Sequence, residues 1–395
     1  MALQDLWTNL SREKSFTTAA FRIPAERVVN TDMGREGQKF IPRATYFEIR
    51  LSQMFIQYSR EYWREFLPLA SMMSEFIFDG QRQTVPIVVG PDRLAGAQAV
   101  TKGDQVEYLN TRVAGPYPYQ GDDISLFAGL FRVEVNNWAK RTLSLMETVA
   151  DAFDATKLTS YLNIARPLLS GLESFLGMKE VEMRLGRQKA YMQGTPNSTA
   201  DDSSSDVLQP SYEVHLRAQA AQFPPAERKK FWVNEGRLFY GDSPQNFRAY
   251  DGADFMLLRF VPLELRNDYT TFDFHKVYWK KVTEHFANGE EENAKLAFRT
   301  LAVNLSQSSD IVDSQRRALA LEYKSMFQRE RDLYRQLYDP DYIPEGDTVR
   351  SGSESAAPAT PEQTEANLQT ALAQAAQAAP ARALREEDLL KALDV

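Results

Sequence analysis

Apolar residues run almost unbroken through ISLFAGLFRVEV, residues 124–135. In a strand, Phe127, Phe131, Val133 and Val135 fall on one face, and Ile124, Leu126, Ala128 and Leu130 on the other. Both faces stay apolar until Arg132 and Glu134, which predicts a central strand covered on both sides. Gly129 in its middle implies a close approach by a neighbouring group.

The same period of two predicts strands at 16–23, 46–57, 106–114, 181–192, 212–217, 237–240 and 254–261. In 46–57, Phe47, Ile49, Leu51 and Phe55 share a face opposite Glu48, Arg50 and Ser52. Residues 75–89 read as a hairpin turning at Asp79-Gly80, with Pro86 confining the second arm to an edge or a bulge. The stretch 60–73 is ambiguous, because Tyr62, Trp63, Phe66 and Leu67 suit a helix that Pro68 would break. Helical spacing predicts one helix after Asn136 or Asn137, buried through Trp138, Leu145, Val149 and Phe153. A second follows Thr156 with Leu158, Leu162, Ala165, Leu169, Leu172 and Leu176 as its stripe, kinked at Pro167 and stopped at Gly177. Three more are expected at 272–286, 290–305 and 313–338.

These elements make an α+β fold with a mainly antiparallel sheet. We expect a β-rich domain at 1–193 carrying a helical pair at 137–176, a linker or long loop at 194–211, and strands followed by helices at 212–344. Should the strands flanking 194–211 share one sheet, the two halves become one body. Residues 345–395 are rich in Ala, Gln, Ser, Thr, Glu and Pro, which predicts a disordered tail. It ends in LREEDLLKALDV, where Leu384, Leu389, Leu390 and Leu393 can form one short amphipathic face suited to a groove on a partner.

Composition narrows the chemistry. The 395 residues contain no cysteine, so disulfides, thiolate metal sites and cysteine nucleophiles are excluded. The formal net charge of −8 gives no global attraction to nucleic acid. The first residues carry no basic segment followed by an apolar one, and no apolar run reaches membrane-spanning length, which points to a cytoplasmic protein. Walker A, GxGxxG, HExxH, GxSxG, kinase and EF-hand patterns are missing.

The remaining candidates are weaker patterns. Arg112, Tyr117, Tyr119, Asp122 and Asp123 could line a pocket for a polar ligand, or serve a turn and its packing. Asp251, Asp254, Asp268 and Asp273 could hold Mg²⁺ or Mn²⁺, although their spacing matches no standard coordination loop. His215, His275 and His285 lack metal-ligand spacing and read as ordinary histidines. RKKFW at 228–232, and Lys276, Lys280 and Lys281 around Tyr278 and Trp279, could touch phosphates and bases, or lie on solvated faces with aromatics turned inward.

The pattern therefore favours a non-catalytic scaffold or accessory subunit of a multi-protein, bacterial assembly. It would dock protein partners through aromatic-rich surfaces and the C-terminal segment, with no cofactor and no nucleic acid. Two alternatives remain: a carboxylate- or metal-dependent hydrolase or nuclease using the four aspartates, and a peripheral membrane protein using the 158–176 helix.

Overall fold

The computed structural model describes residues 18–31, 39–57, 60–61, 64–90, 100–102, 105–134, scattered positions in 158–178, 181–193 and 206–338. Mainly antiparallel sheets and helices make it an α+β protein. It divides into two units, residues 1–42 with 46–263, and residues 43–45 with 264–395.

In the first unit the central strand forms as its pattern requires. β9 (Ile124–Glu134) pairs antiparallel with β5 (Arg64–Phe78) on one side and β10 (Val181–Tyr191) on the other. A Cβ on Gly129 would stand 2.6 Å from the Phe131 ring and 2.9 Å from the Phe127 ring. Glycine leaves the space that those two rings fill. β6 (Gln81–Val89) joins β5 through a two-residue turn in which Asp79 and Gly80 have φ of 51° and 70°. Two successive positive φ values are the type I′ geometry that matches strand twist, so the Asp-Gly pair acts as expected. The ambiguous 60–73 stretch is extended at its described positions, 60–61 and 64–73. Pro68 lies past the β6 ladder, which starts at Ala70, and among the described residues it pairs there with β9 alone, an edge-like setting that tolerates proline.

The larger sheet has six strands, in the order β1 (Thr18–Ile23), β11 (Ser211–Arg217), β15 (Phe255–Leu263), β3 (Tyr46–Ile56), β8 (Gln105–Pro118) and β7 (Val100–Lys102). Strands from both sides of 194–211 therefore share one sheet. The division between the two units falls at Leu263, after the last of these strands. Alternation shows which residues share a face but not which strand lies alongside.

The two sheets enclose the main core. Phe47, Ile49, Leu51, Leu258 and Phe260 come from one sheet, and Phe127, Leu130, Phe131 and Leu185 from the other. Leu158, Tyr161, Ala165, Leu172, Phe175 and Leu176, the described part of the 158–176 helix, join this core. The Tyr161 hydroxyl donates to the Pro86 carbonyl at 2.6 Å. The stripe that could have met lipid is thus spent against protein. A four-stranded sheet, β14 (Arg248–Ala249), β13 (Arg237–Tyr240), β12 (Phe231–Asn234) and β2 (Val28–Val29), builds a second core. There Phe231, Val233 and Leu238 meet Phe21, Phe55, Val214 and Phe255.

The second unit is helical. A π-helical turn (Phe274–Trp279) leads into α1 (Lys280–Ala287), followed by α2 (Glu291–Ser306) and α3 (Asp313–Tyr338). Phe298 and Phe327 pack with ring centres 4.5 Å apart, and Phe286 lies 5.2 Å from Phe327. Residues 43–45 belong here because the Arg43 carbonyl accepts from the Asp313 N–H at 2.9 Å and the Ala44 carbonyl from the Ser314 hydroxyl at 2.8 Å. Among the described residues no helix is long and apolar enough to cross a membrane. The helix expected after Asn137 and the tail at 345–395 lie outside the described residues.

Candidate functional site

The densest set of titratable groups lies along β10, where it faces β11. Among the described residues β10 pairs with β9 alone, and it carries Glu182, Arg184, Arg187, Lys189 and Tyr191. A bulge between Met183 and Leu185 leaves Arg184 without an opposite residue on β9. Such an extra residue re-aims a side chain. Here Arg184 reaches Asp254 at 2.8 Å and Glu182 at 3.0 Å. Asp254 is also held by the Gln57 N–H at 2.8 Å, with Arg217 at 3.6 Å. Glu182 turns its other oxygen to Arg132 at 2.6 Å. Burial pushes the Glu182 carboxyl up, and Arg132 and Arg184 more than reverse it, leaving the group below its ordinary value.

Glu213 on β11 is the centre of the set. It is 1% exposed and is contacted by His215 Nε2 at 2.9 Å, the Tyr191 hydroxyl at 3.1 Å and Lys189 Nζ at 3.1 Å. Burial alone would raise this carboxyl. The bond from His215 and the charges of His215 and Lys189 outweigh it and hold Glu213 far below the carboxylate range. An ionised carboxylate only accepts, so the contact places a proton on His215 Nε2. Nδ1 of the same ring is buried and has no hydrogen-bond partner among the described residues. Burial, then Glu213, pushes the Tyr191 hydroxyl well above its usual value.

A carboxylate, an imidazole and a phenol are the parts of a general acid–base device. Catalysis also needs a substrate atom within hydrogen-bond reach of them. His215 is 2% exposed and Tyr191 1%. Every charged atom of Glu213 is already spent on a neighbouring strand. The arrangement can hold β10 to β11 by buried, hydrogen-bonded charge, as a paired site must.

The other expected site residues are distributed differently. Tyr117 stacks on Phe76 at 4.5 Å in the main core. Tyr119 packs against Phe40, and burial together with Asp123 and Asp122 pushes its hydroxyl up to about 12. Both aspartates are exposed, beside Gly121 at φ 99°. Arg112 lies across from Arg50 on β3. Within that set Asp123 and Asp122 act on Tyr119, and Arg112 acts on Tyr117.

Of the four aspartates, Asp254 is buried in the seam and Asp268 takes a two-pronged contact from Arg266 at 2.9 and 2.8 Å. Asp251 and Asp273 are exposed. Among the described residues no group of three or more His, Asp or Glu side chains is placed to hold a metal ion. His275 Nδ1 meets the Tyr323 hydroxyl at 2.7 Å, and burial lowers its pKa. His285 Nδ1 meets Glu290 at 2.6 Å.

In the basic stretch, Arg228 donates to the Phe223 carbonyl and lies over Phe21, while Lys230 pairs with Glu227 at 2.8 Å. Lys280 pairs with Glu284 at 3.4 Å, and Trp279 is buried in the helical core. Leu384, Leu389, Leu390 and Leu393 lie outside the described residues.

One group went unnoticed in the sequence. Trp232 and Phe239 sit opposite one another on β12 and β13, on the face turned away from Phe231 and Val233. Phe247 covers both, with ring centres 6.1 and 4.5 Å away. The Arg27 guanidinium lies 4.2 Å from the Trp232 ring centre. Phe239 and Phe247 remain partly exposed. No protein-family model, curated protein or solved structure matches the chain.

Proposed function

We propose that the protein is a non-catalytic interaction subunit of a multi-protein assembly, of the scaffold or accessory kind. The observation that carries this reading is the aromatic cluster of Trp232, Phe239, Phe247 and Arg27 on the outer face of the small sheet. Tryptophan and phenylalanine are enriched where proteins meet because they bury much area at little entropic cost, and arginine because its planar guanidinium stacks and donates several hydrogen bonds. The buried charges, by contrast, are engaged in holding strands together. A partner would cover the cluster, and the C-terminal segment at 384–393 would supply a second contact.

Affinity capture from native extract tests this, comparing the full chain, a Phe239→Ser/Phe247→Ser variant and a chain ending before residue 346. The reading expects each change to deplete the captured set. Identical sets from all three would remove it.

A further inference from the structure

The three-helix unit leaves part of α3 uncovered. Its first half buries Leu319, Tyr323 and Phe327 in the helical core. Met326, which packs partly against that core, begins a stripe that Leu333 and Leu337 continue at i+7 and i+11. Leu333 is 54% exposed, Leu337 71% and the adjacent Tyr338 61%. Single exposed leucines are ordinary, but two on successive turns beside an exposed tyrosine make a patch.

We propose that this stripe is the docking place of the chain's own C-terminal segment, residues 384–395. Three features point to that occupant. The segment has an apolar face of matching kind in Leu389, Leu390 and Leu393, and two short amphipathic helices bury such faces against each other. The charges are complementary. Residues 324–338 carry Lys324, Arg329, Arg331 and Arg335 against Glu330 and Asp332, with Arg329 also meeting Glu322 at 3.7 Å and Arg335 meeting Glu291 at 2.6 Å. Residues 384–395 carry Glu386, Glu387, Asp388 and Asp394 against Arg385 and Lys391. One side is thus net positive by two and the other net negative by two. The connection is also long enough. The 45 residues at 339–383 can extend about 150 Å, whereas α3 is roughly 39 Å long. Tethering of this kind gives an effective concentration on the order of millimolar, so weak helix pairing suffices.

The inference rests on reading this segment as a docking element. It adds that the element is held on α3 until a partner takes it. A partner must then compete with an internal contact, which lowers its apparent affinity by the docked fraction.

Hydrogen exchange of the full chain, read by mass spectrometry at two protein concentrations, tests it without any partner present. The amides of 384–395 should exchange about tenfold slower than in a Leu333→Asp/Leu337→Asp variant, at both concentrations. Residues around Phe298 and Phe327 report in the same spectra whether the helical core persists. A second variant, Glu386→Lys/Glu387→Lys/Asp388→Lys, leaves α3 untouched and should show the same loss of protection. Equal exchange in all three chains would overturn the proposal. So would protection that grows with concentration, which would assign the stripe to a second copy. Neither result bears on partner capture, so the reading of function stands or falls separately.

Discussion

Glu213 shows how a charge is kept inside this protein. Its carboxylate takes bonds from three side chains on two strands. Glu213→Ala leaves the buried Lys189 with only the more distant, half-exposed Asp206 at 3.7 Å as counter-charge, and should cost about 3 kcal/mol. Glu213→Gln with Lys189→Met removes both charges but keeps an acceptor for His215 and Tyr191, and should recover most of that loss. Chemical denaturation of the three chains checks the ordering. Acid adds a second test. The folded values of Glu213 and Glu182 lie below the ordinary carboxylate value of 4.5. The fold therefore favours the ionised forms. Their contribution is complete above the unfolded value and is lost as pH falls below it toward the folded values. The melting temperature should drop from about pH 5 to pH 3, and drop less steeply in Glu213→Gln. Parallel slopes in the two chains would contradict this origin.

At the scale of elements, strand existence and facing were largely legible, and what covers each face was not. β9 was readable because both of its faces are apolar, and Gly129 flagged a close approach that Phe127 and Phe131 make. Gly129→Ala forces one ring to move and should lower stability by about 1–3 kcal/mol, as a shift in denaturation midpoint with an unchanged slope. The Asp79-Gly80 turn was readable for the same local reason. The matching turn between β12 and β13 was not. It places Glu235 and Gly236 at φ 51° and 76°, and a glutamate there gives none of the usual Asn-Gly or Asp-Gly signal. RKKFW accordingly read as a basic cluster, and β12 was missed. The charge seam escaped for a different reason. Glu213 and His215 alternate with Tyr212, Val214 and Leu216, the usual sign of a face turned to water. In the fold that polar face meets β10, and a period of two carries no record of a facing strand. The bulge that aims Arg184 is equally silent in the sequence. Helix facing in 158–176 was legible, but its cover, the main core, was not.

Among the described residues, the histidines and the seam carboxylates are engaged in the fold, while a few aromatic and aliphatic side chains stay partly or fully exposed. The three histidines are engaged separately by Glu213, Tyr323 and Glu290. Asp254 and Asp268 are each gripped by an arginine. Outside, the partly exposed Phe239 and Phe247 over the buried Trp232, and the α3 stripe, offer area rather than chemistry. One comparison separates these two roles. Partners are captured in parallel with the Glu213→Gln/Lys189→Met chain and with the Phe239→Ser/Phe247→Ser chain, both verified as folded by circular dichroism. The account predicts that the first keeps the partners of the unaltered chain and the second loses them. Loss of partners or activity in the first, with the second unaffected, would mean that the buried charges act on a substrate or ligand and that the surface reading is mistaken.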